Sequence, residues 1–287
     1  MDLFFDLLRS VIYGVIEGIT EWLPISSTGH MILAEQVLKF SFSAEFMEMF
    51  RVVIQLGAIL AVVVMYFKKL WPFCVDNGRD SGLAKHVRWP VMRLWFKIIV
   101  ACLPAAVLGL ALDDWIDAHF YNSVVVAVML IVYGIAFILI ERRPRVPTTT
   151  KLSRITYRQA LIVGAWQVLA LIPGTSRSGS TIIGGLLLGC TRSVASKFTF
   201  FLAIPVMFGA SALKLVKYFI KGGTFGANEV AILGVGCVVA FVVSLIAIKW
   251  LMGFVRRHDF KCFGVYRIIL GIVVLAYFFV LEPMLGL

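Results

Sequence analysis

Apolar residues in this chain gather into eight blocks, at roughly 3–38, 50–67, 94–112, 122–140, 157–190, 196–220, 229–252 and 266–286. A helix needs about 20 residues to cross hydrocarbon, and six of the blocks read as simple spanning helices. The first and fifth do not. The first contains Glu17, Glu21, Pro24, Ser26, Ser27, Thr28, Gly29 and His30, and the fifth contains Gln167, Pro173, Gly174, Ser176, Arg177, Ser178 and Gly179. Such segments are too polar and too broken to face lipid. Irregular backbone is tolerated at membrane depth only where protein buries it or a wet cavity hydrates it, so both blocks are expected to be re-entrant helical hairpins.

Composition supports a bilayer protein: 61% of residues are hydrophobic, 15% are charged and the mean hydropathy is +0.95, far from the balance of a soluble domain. A net charge of +11 could suggest nucleic acid, but the basic residues lie between apolar blocks rather than along one face, so they read as topology signals. Segment 68–97 is rich in Lys and Arg, whereas 113–121 carries Asp113, Asp114 and Asp117 without a Lys or Arg and reads as a solvated outer loop. Cytoplasmic loops collect basic residues. With six crossings and two hairpins, 68–97, 141–158, 191–197 and 253–267 all face the cytoplasm. Eight crossings would instead put Arg256, Arg257, Lys261 and Arg267 outside.

The expected fold is therefore an all-α polytopic membrane protein built as an inverted-topology repeat of six transmembrane helices and two re-entrant hairpins. The first repeat is residues 1–140 with hairpin 3–38, the linker is 141–154, and the second repeat is 155–287 with hairpin 157–190. An offset of 150 pairs Gly14 with Gly164, Ser26 with Ser176 and Gly29 with Gly179, and sets Thr28 against Ser178. No cleavable leader pattern precedes a soluble domain, so the N-terminal block is expected to belong to the mature fold. Cys74, Cys102, Cys190, Cys237 and Cys262 are scattered without zinc-ligand spacing and read as structural thiols. His86, His119 and His258 read as loop residues.

The chemistry concentrates in the two polar blocks. Glu17 and Glu21, four apart, share a helix face, and carboxylates in an apolar segment point to a wet cavity or a partner. After Pro24, the SSTG run suits a turn that caps a helix N-terminus, where the aligned dipole attracts anions. His30 lies three residues beyond Ser27, within reach of proton transfer on one turn. The second block adds Arg177, a permanent cation whose fork of donors matches phosphate oxygens, among Thr175, Ser176 and Ser178. Together these groups predict phosphoryl chemistry: a hydroxyl or imidazole attacks phosphorus, Arg177 offsets developing charge, and the carboxylates orient the base or hold a divalent cation.

On EGITEWLPISSTGH (Glu17–His30) and PGTSRSG (Pro173–Gly179), the chain resembles the bacitracin-resistance type of undecaprenyl-diphosphatase over its whole length. That resemblance implies hydrolysis of undecaprenyl diphosphate to undecaprenyl phosphate and inorganic phosphate, which recycles the lipid carrier for peptidoglycan synthesis and confers tolerance of bacitracin. It further implies a divalent cation, Mg2+ or Ca2+, and a bacterial inner-membrane location, and the loop charges predict a first hairpin entering from outside and a site open to the periplasmic or extracellular face. Partners are the substrate and membrane lipids, with neither nucleic acid nor an obligate protein. Catalytic roles fall on Glu17, Glu21, Ser27, His30 and Arg177. Phosphate contacts fall on Ser26, Thr28, Gly29, Thr175, Ser176, Arg177 and Ser178, and the metal on Glu17 and Glu21. The favoured scheme has Ser27 attacking, His30 as base and then acid, and Glu21 orienting His30. A phosphohistidine at His30 and a directly activated water stay open. Because inverted repeats with broken helices also build transporters, the rival function is a polyprenyl-phosphate flippase, which would release no phosphate.

Overall fold

The computed structural model describes residues 2–38, 42–75, 85–142 and 146–285. Helices α1 (Asp2–Thr20) and α2 (Ser27–Val37) form a first hairpin, followed by α3 (Ala44–Val53), α4 (Gln55–Leu70), α5 (Trp89–Phe120) and α6 (Ser123–Arg142). Helices α7 (Tyr157–Val168) and α8 (Arg177–Leu187) form a second hairpin, followed by α9 (Arg192–Ile220), α10 (Ala227–Phe254) and α11 (Lys261–Ala276), which runs on through a π turn into α12 (Glu282–Leu285). Six helical stretches are long and apolar enough to span: Glu45–Leu70, Trp89–Leu112, Ser123–Arg142, Arg192–Ile220, Ala227–Phe254 and Lys261–Leu281. They are the six blocks expected to cross, and the chain is a multi-pass membrane protein. Arg79 and most of its loop, and Arg143 and Arg145 of the linker, lie outside the described residues.

Polar caps set several helix starts. Ser43 accepts the Phe46 amide at 3.1 Å, Thr191 accepts that of Val194 at 3.3 Å, and Thr156 exchanges hydrogen bonds with Gln159 in a capping box. Two sequence expectations need correction. The segment 113–120, read as an outer loop, and with it His119, read as a loop residue, is the last part of α5. Its apolar run ends at Leu112, but the helix continues because composition marks where hydrocarbon ends, not where helical hydrogen bonding ends; Trp115 there stacks on His119 at 4.8 Å. Arg267, read as a loop cation, is fully buried within α11.

The packing pairs corresponding elements of the two halves. Helix α1 packs on α10 as α7 packs on α5, α4 meets α10 as α9 meets α5, and α6 packs on α11. Matching α1 with α7, α4 with α9, α5 with α10 and α6 with α11 turns each contact into another of the set. Small residues permit the approach, as is general where lipid supplies no hydrophobic drive between helices. A Cβ at Gly14 would come within 2.8 Å of the Gly236 carbonyl oxygen, and one at Gly164 within 2.3 Å of that of Ala101. Gly134 and Gly264 face each other's carbonyls at 2.7 Å in the same sense. Leu110, Val238, Ile246 and Ile269 are exposed on the outside of the bundle, where acyl chains take the place of protein. Inside, Trp22 at the tip of the first hairpin packs edge-on against Phe200 of α9 at 5.3 Å, which ties the hairpin to the core.

Candidate active site

The tips of the two hairpins have one backbone design. Ser26 (φ 73°) and Ser176 (φ 69°) are the two non-glycine residues with positive φ among the described residues, and each is the N-cap of the helix that follows. Their hydroxyls accept the amides of Gly29 at 3.4 Å and Gly179 at 3.2 Å. A left-handed residue ahead of a helix turns the chain sharply and points the free amides of the first turn at one spot. Such strain persists where the surroundings over-determine it, and it gathers at functional sites.

Side chains join these tips. Arg177 donates from Nε at 3.2 Å and from Nη2 at 2.9 Å to Oε1 of Glu21, and from Nη1 to the Thr199 carbonyl at 3.1 Å. The other carboxylate oxygen of Glu21 accepts the Ser27 hydroxyl at 3.3 Å. Serine, carboxylate and guanidinium thus form one chain across the hairpin interface. Ser178 adds a second link, donating to the Leu23 carbonyl at 3.3 Å. Glu17 sits one turn before Glu21, whose amide donates to the Glu17 carbonyl at 3.1 Å, and the buried Oε1 of Glu17 has no hydrogen-bond partner among the described residues.

His30 points elsewhere. Its Nδ1 bonds the Ser26 carbonyl at 2.7 Å, which places the ring proton on Nδ1, and Nε2 therefore accepts the Tyr266 hydroxyl at 2.7 Å. The expected orientation of His30 by Glu21 is not what the structure contains, because Glu21 is occupied by Ser27 and Arg177. Nor does His30 hydrogen-bond Ser27. The other predicted phosphate contacts divide as well. Thr28 and Ser27 line an open cavity, whereas the hydroxyls of Ser26, Ser176 and Ser178 are engaged inside the loops, Ser176 and Ser178 at 3.1 Å from one another. Thr175 is fully buried, and its Oγ1 lacks a partner among the described residues.

The cavity is about 570 Å³ and carries Glu17, Ser27 and Thr28 alongside Arg51, Gln55 and Tyr121. A groove of about 820 Å³ along the far end of α10, between Leu245 and His258, contains none of the candidate groups.

Sequence reading missed Arg267, the residue that fixes the two tips to each other. It donates from Nη1 to the Pro24 carbonyl at 3.2 Å in the first loop, and from Nη2 to those of Gly174 at 2.8 Å and Thr175 at 3.0 Å in the second. It also reaches Leu130 and Met129 of α6 at 3.4 Å and lies over the Tyr133 ring at 5.5 Å. No carboxylate pairs with it among the described residues, so carbonyl dipoles and a ring face offset its charge. Tyr266, Arg51 and Gln55 were also missed. All four sit at or near block edges, where a polar residue looks like a loop.

Comparison with known proteins points to one family. The family model described as bacitracin resistance protein BacA matches residues 10–273. The undecaprenyl-diphosphatase of Enterococcus faecalis is 58% identical over 277 residues, covering 96% of this chain and 98% of that protein. The undecaprenyl-diphosphatases of Desulfitobacterium hafniense and Acetivibrio thermocellus are 58% and 53% identical, each over 95% of this chain and over 96% and 98% of their own.

Proposed function

The chain belongs to the bacitracin resistance protein BacA family, and we infer from its site that it is an integral membrane undecaprenyl-diphosphatase. It hydrolyses undecaprenyl diphosphate to undecaprenyl phosphate and inorganic phosphate, returning the carrier to cell-wall synthesis and supporting resistance to bacitracin. The observation that carries the mechanism is the Ser27–Glu21–Arg177 chain, with Ser27 opening on the cavity.

In the first step the Ser27 oxygen attacks the terminal phosphorus while Glu21 takes the Ser27 proton. The bridging P–O bond breaks, its electron pair leaves with undecaprenyl phosphate, and a phosphoserine remains. Glu21 passes its proton to the departing undecaprenyl phosphate, then takes one from water as the water oxygen attacks that phosphorus; the P–O bond to Ser27 breaks, Glu21 returns the proton to the serine oxygen, and inorganic phosphate departs. Arg177, released from Glu21 by the incoming anion or shared with it, offsets charge on the equatorial oxygens, and the amides at the start of α2 add their dipoles. Glu21 replaces His30 as base because the Ser27 hydroxyl is directed at Glu21. His30 and Tyr266 hold the turn before Ser27 through the Ser26 carbonyl. An imidazole Nε2 that already accepts a hydroxyl also weighs against phosphohistidine.

Oε1 of Glu17, buried without a partner among the described residues and one turn from Glu21, fits a divalent cation, which Glu17 would hold, joined by Glu21 where the substrate draws Arg177 away from it. When bound, it supplies positive charge to the phosphate oxygens. We place the protein in the bacterial inner membrane, with the first hairpin entering from the periplasmic face, the second from the cytoplasm, and the site open to the periplasm, on the distribution of basic loops.

Phosphate release from the purified protein in detergent tests the function without a second compartment. Turnover is expected for the wild type and not for Ser27→Ala. Lipid movement without phosphate release would replace the phosphatase by a flippase.

A further inference from the structure

The substrate carries two phosphates, and the groups assigned so far serve the one that leaves. The same cavity is lined by Arg51 of α3 and Gln55 of α4, four residues apart, which bring a guanidinium and an amide to it beside Glu45, Glu48, Lys214 and Lys221. Arg51 is not held as Arg267 is. Its Nη1 bonds Oε1 of Glu35, its guanidinium stands 6.0 Å from the centre of the Tyr121 ring, and Nε and Nη2 make no hydrogen bond among the described residues. The Gln55 side chain likewise makes none. Glu35 belongs to α2, the helix that begins at Ser27, so the ion pair ties α3 to α2. A fork of unused donors in a cavity that already holds the reacting hydroxyl is suited to a second phosphate oxygen pair.

We propose that Arg51 and Gln55 form a second anion subsite, which binds the phosphate that stays on the prenyl chain while Ser27, Thr28 and Arg177 take the phosphate that leaves. This rests on the diphosphatase reading. It gives the enzyme a means to favour a diphosphate over a monophosphate, and it makes the lipid product, rather than inorganic phosphate, the ligand of Arg51.

The test is equilibrium binding of farnesyl phosphate, farnesyl diphosphate and inorganic phosphate to the full-length protein in detergent, with phosphate release measured in parallel. Arg51→Gln is expected to weaken farnesyl phosphate and farnesyl diphosphate by about tenfold or more while changing inorganic phosphate by less than about twofold. Arg51→Lys recovers part of the loss, since it keeps the charge without the fork. Glu35→Gln separates ligand binding from the ion pair: it is expected to bind both prenyl ligands at least as tightly as wild type, because Arg51 is freed. Unchanged binding in Arg51→Gln, or an equal loss in Glu35→Gln, overturns the subsite. Wild-type protein that binds both prenyl ligands and releases no phosphate would remove the catalytic reading and leave the subsite standing.

Discussion

The two hairpin tips share a backbone and divide the chemistry between them. Ser26 and Ser176 take the same left-handed conformation and cap the same amide three residues on, yet at the 150-residue offset Glu17 corresponds to Gln167, Glu21 to Leu171, Ser27 to Arg177 and His30 to Ser180. On the proposed mechanism one tip supplies the acid–base and nucleophilic groups, and the other supplies a cation at the position equivalent to the nucleophile. Two loops of similar backbone would then form a directional site through their different side chains. Changing those side chains is the way to break the division.

Removing the nucleophile should have the largest effect. Ser27→Ala is expected to lower turnover on the order of 10⁴-fold or more, as loss of an attacking hydroxyl does elsewhere, and no phosphoenzyme should be trapped. A trapped phosphoenzyme in Ser27→Ala would move the attack to His30. Next comes the cation. Arg177→Ala should cost roughly 10²- to 10³-fold in kcat, the range for a donor aimed at developing anionic charge. It also leaves Glu21 without its partner across the tips, so Glu21→Ala should fall in the same class. Near-normal phosphate release in either would dissolve the shared site.

Glu17→Gln makes the first tip match the second at one position. Turnover is expected to drop about tenfold or more if Glu17 helps to hold a cation, and the response to chelator and metal add-back should flatten. An unchanged metal response would remove Glu17 from that role. Gln167 at the matching position is itself 2% exposed, and neither polar atom of its side chain has a partner among the described residues. A buried amide with nothing bound is tolerated where a carboxylate would be far costlier.

Much of this could be read from the sequence because membranes penalise polarity. Glu17, Glu21, Arg177 and the serines were visible by interrupting apolar blocks, and the count of six spans followed from setting those two broken blocks apart and from where the basic loops fall. Contacts were not visible. Nothing in EGITEWLPISSTGH says that the Glu21 carboxylate points to Ser27 and Arg177 rather than to His30; that choice depends on α11 bringing Tyr266 to His30. Arg267 was hidden for a different reason. Beside Arg256, Arg257 and Lys261 it looked like one more loop charge, because local composition does not reveal that α11 begins at Lys261 and turns residue 267 inward.

Arg267 also sharpens the comparison, since it holds the loops together irrespective of their chemistry. Arg267→Met should leave up to five carbonyls without their donor. An unsatisfied buried group costs about 1–3 kcal/mol, and partial relaxation would leave roughly 3 kcal/mol, a fall in melting temperature of roughly 5–10 °C. Lysine should not restore it, because an ammonium has three donors on a single atom. A variant that melts like wild type would show that the tips hold each other through Glu21 and Arg177 alone.

The smallest effects test whether the two backbones are equivalent. Ser26→Ala and Ser176→Ala each remove a cap, typically about 1 kcal/mol, while keeping a residue with a Cβ in the left-handed region. Glycine removes the same cap but also relieves a strain of about 1–2 kcal/mol. The expected order at each site is therefore Ala below Gly, with Gly close to wild type in melting temperature. If the tips are one design used twice, the two series should run in parallel in stability. They should separate in activity, because the Ser26 carbonyl holds His30 and precedes the attacking serine, whereas Ser176 precedes Arg177, which Glu21 and Thr199 hold independently. Stability series that diverge would mean that the matching φ values arise from different surroundings, and the common cradle would give way to two unrelated loops.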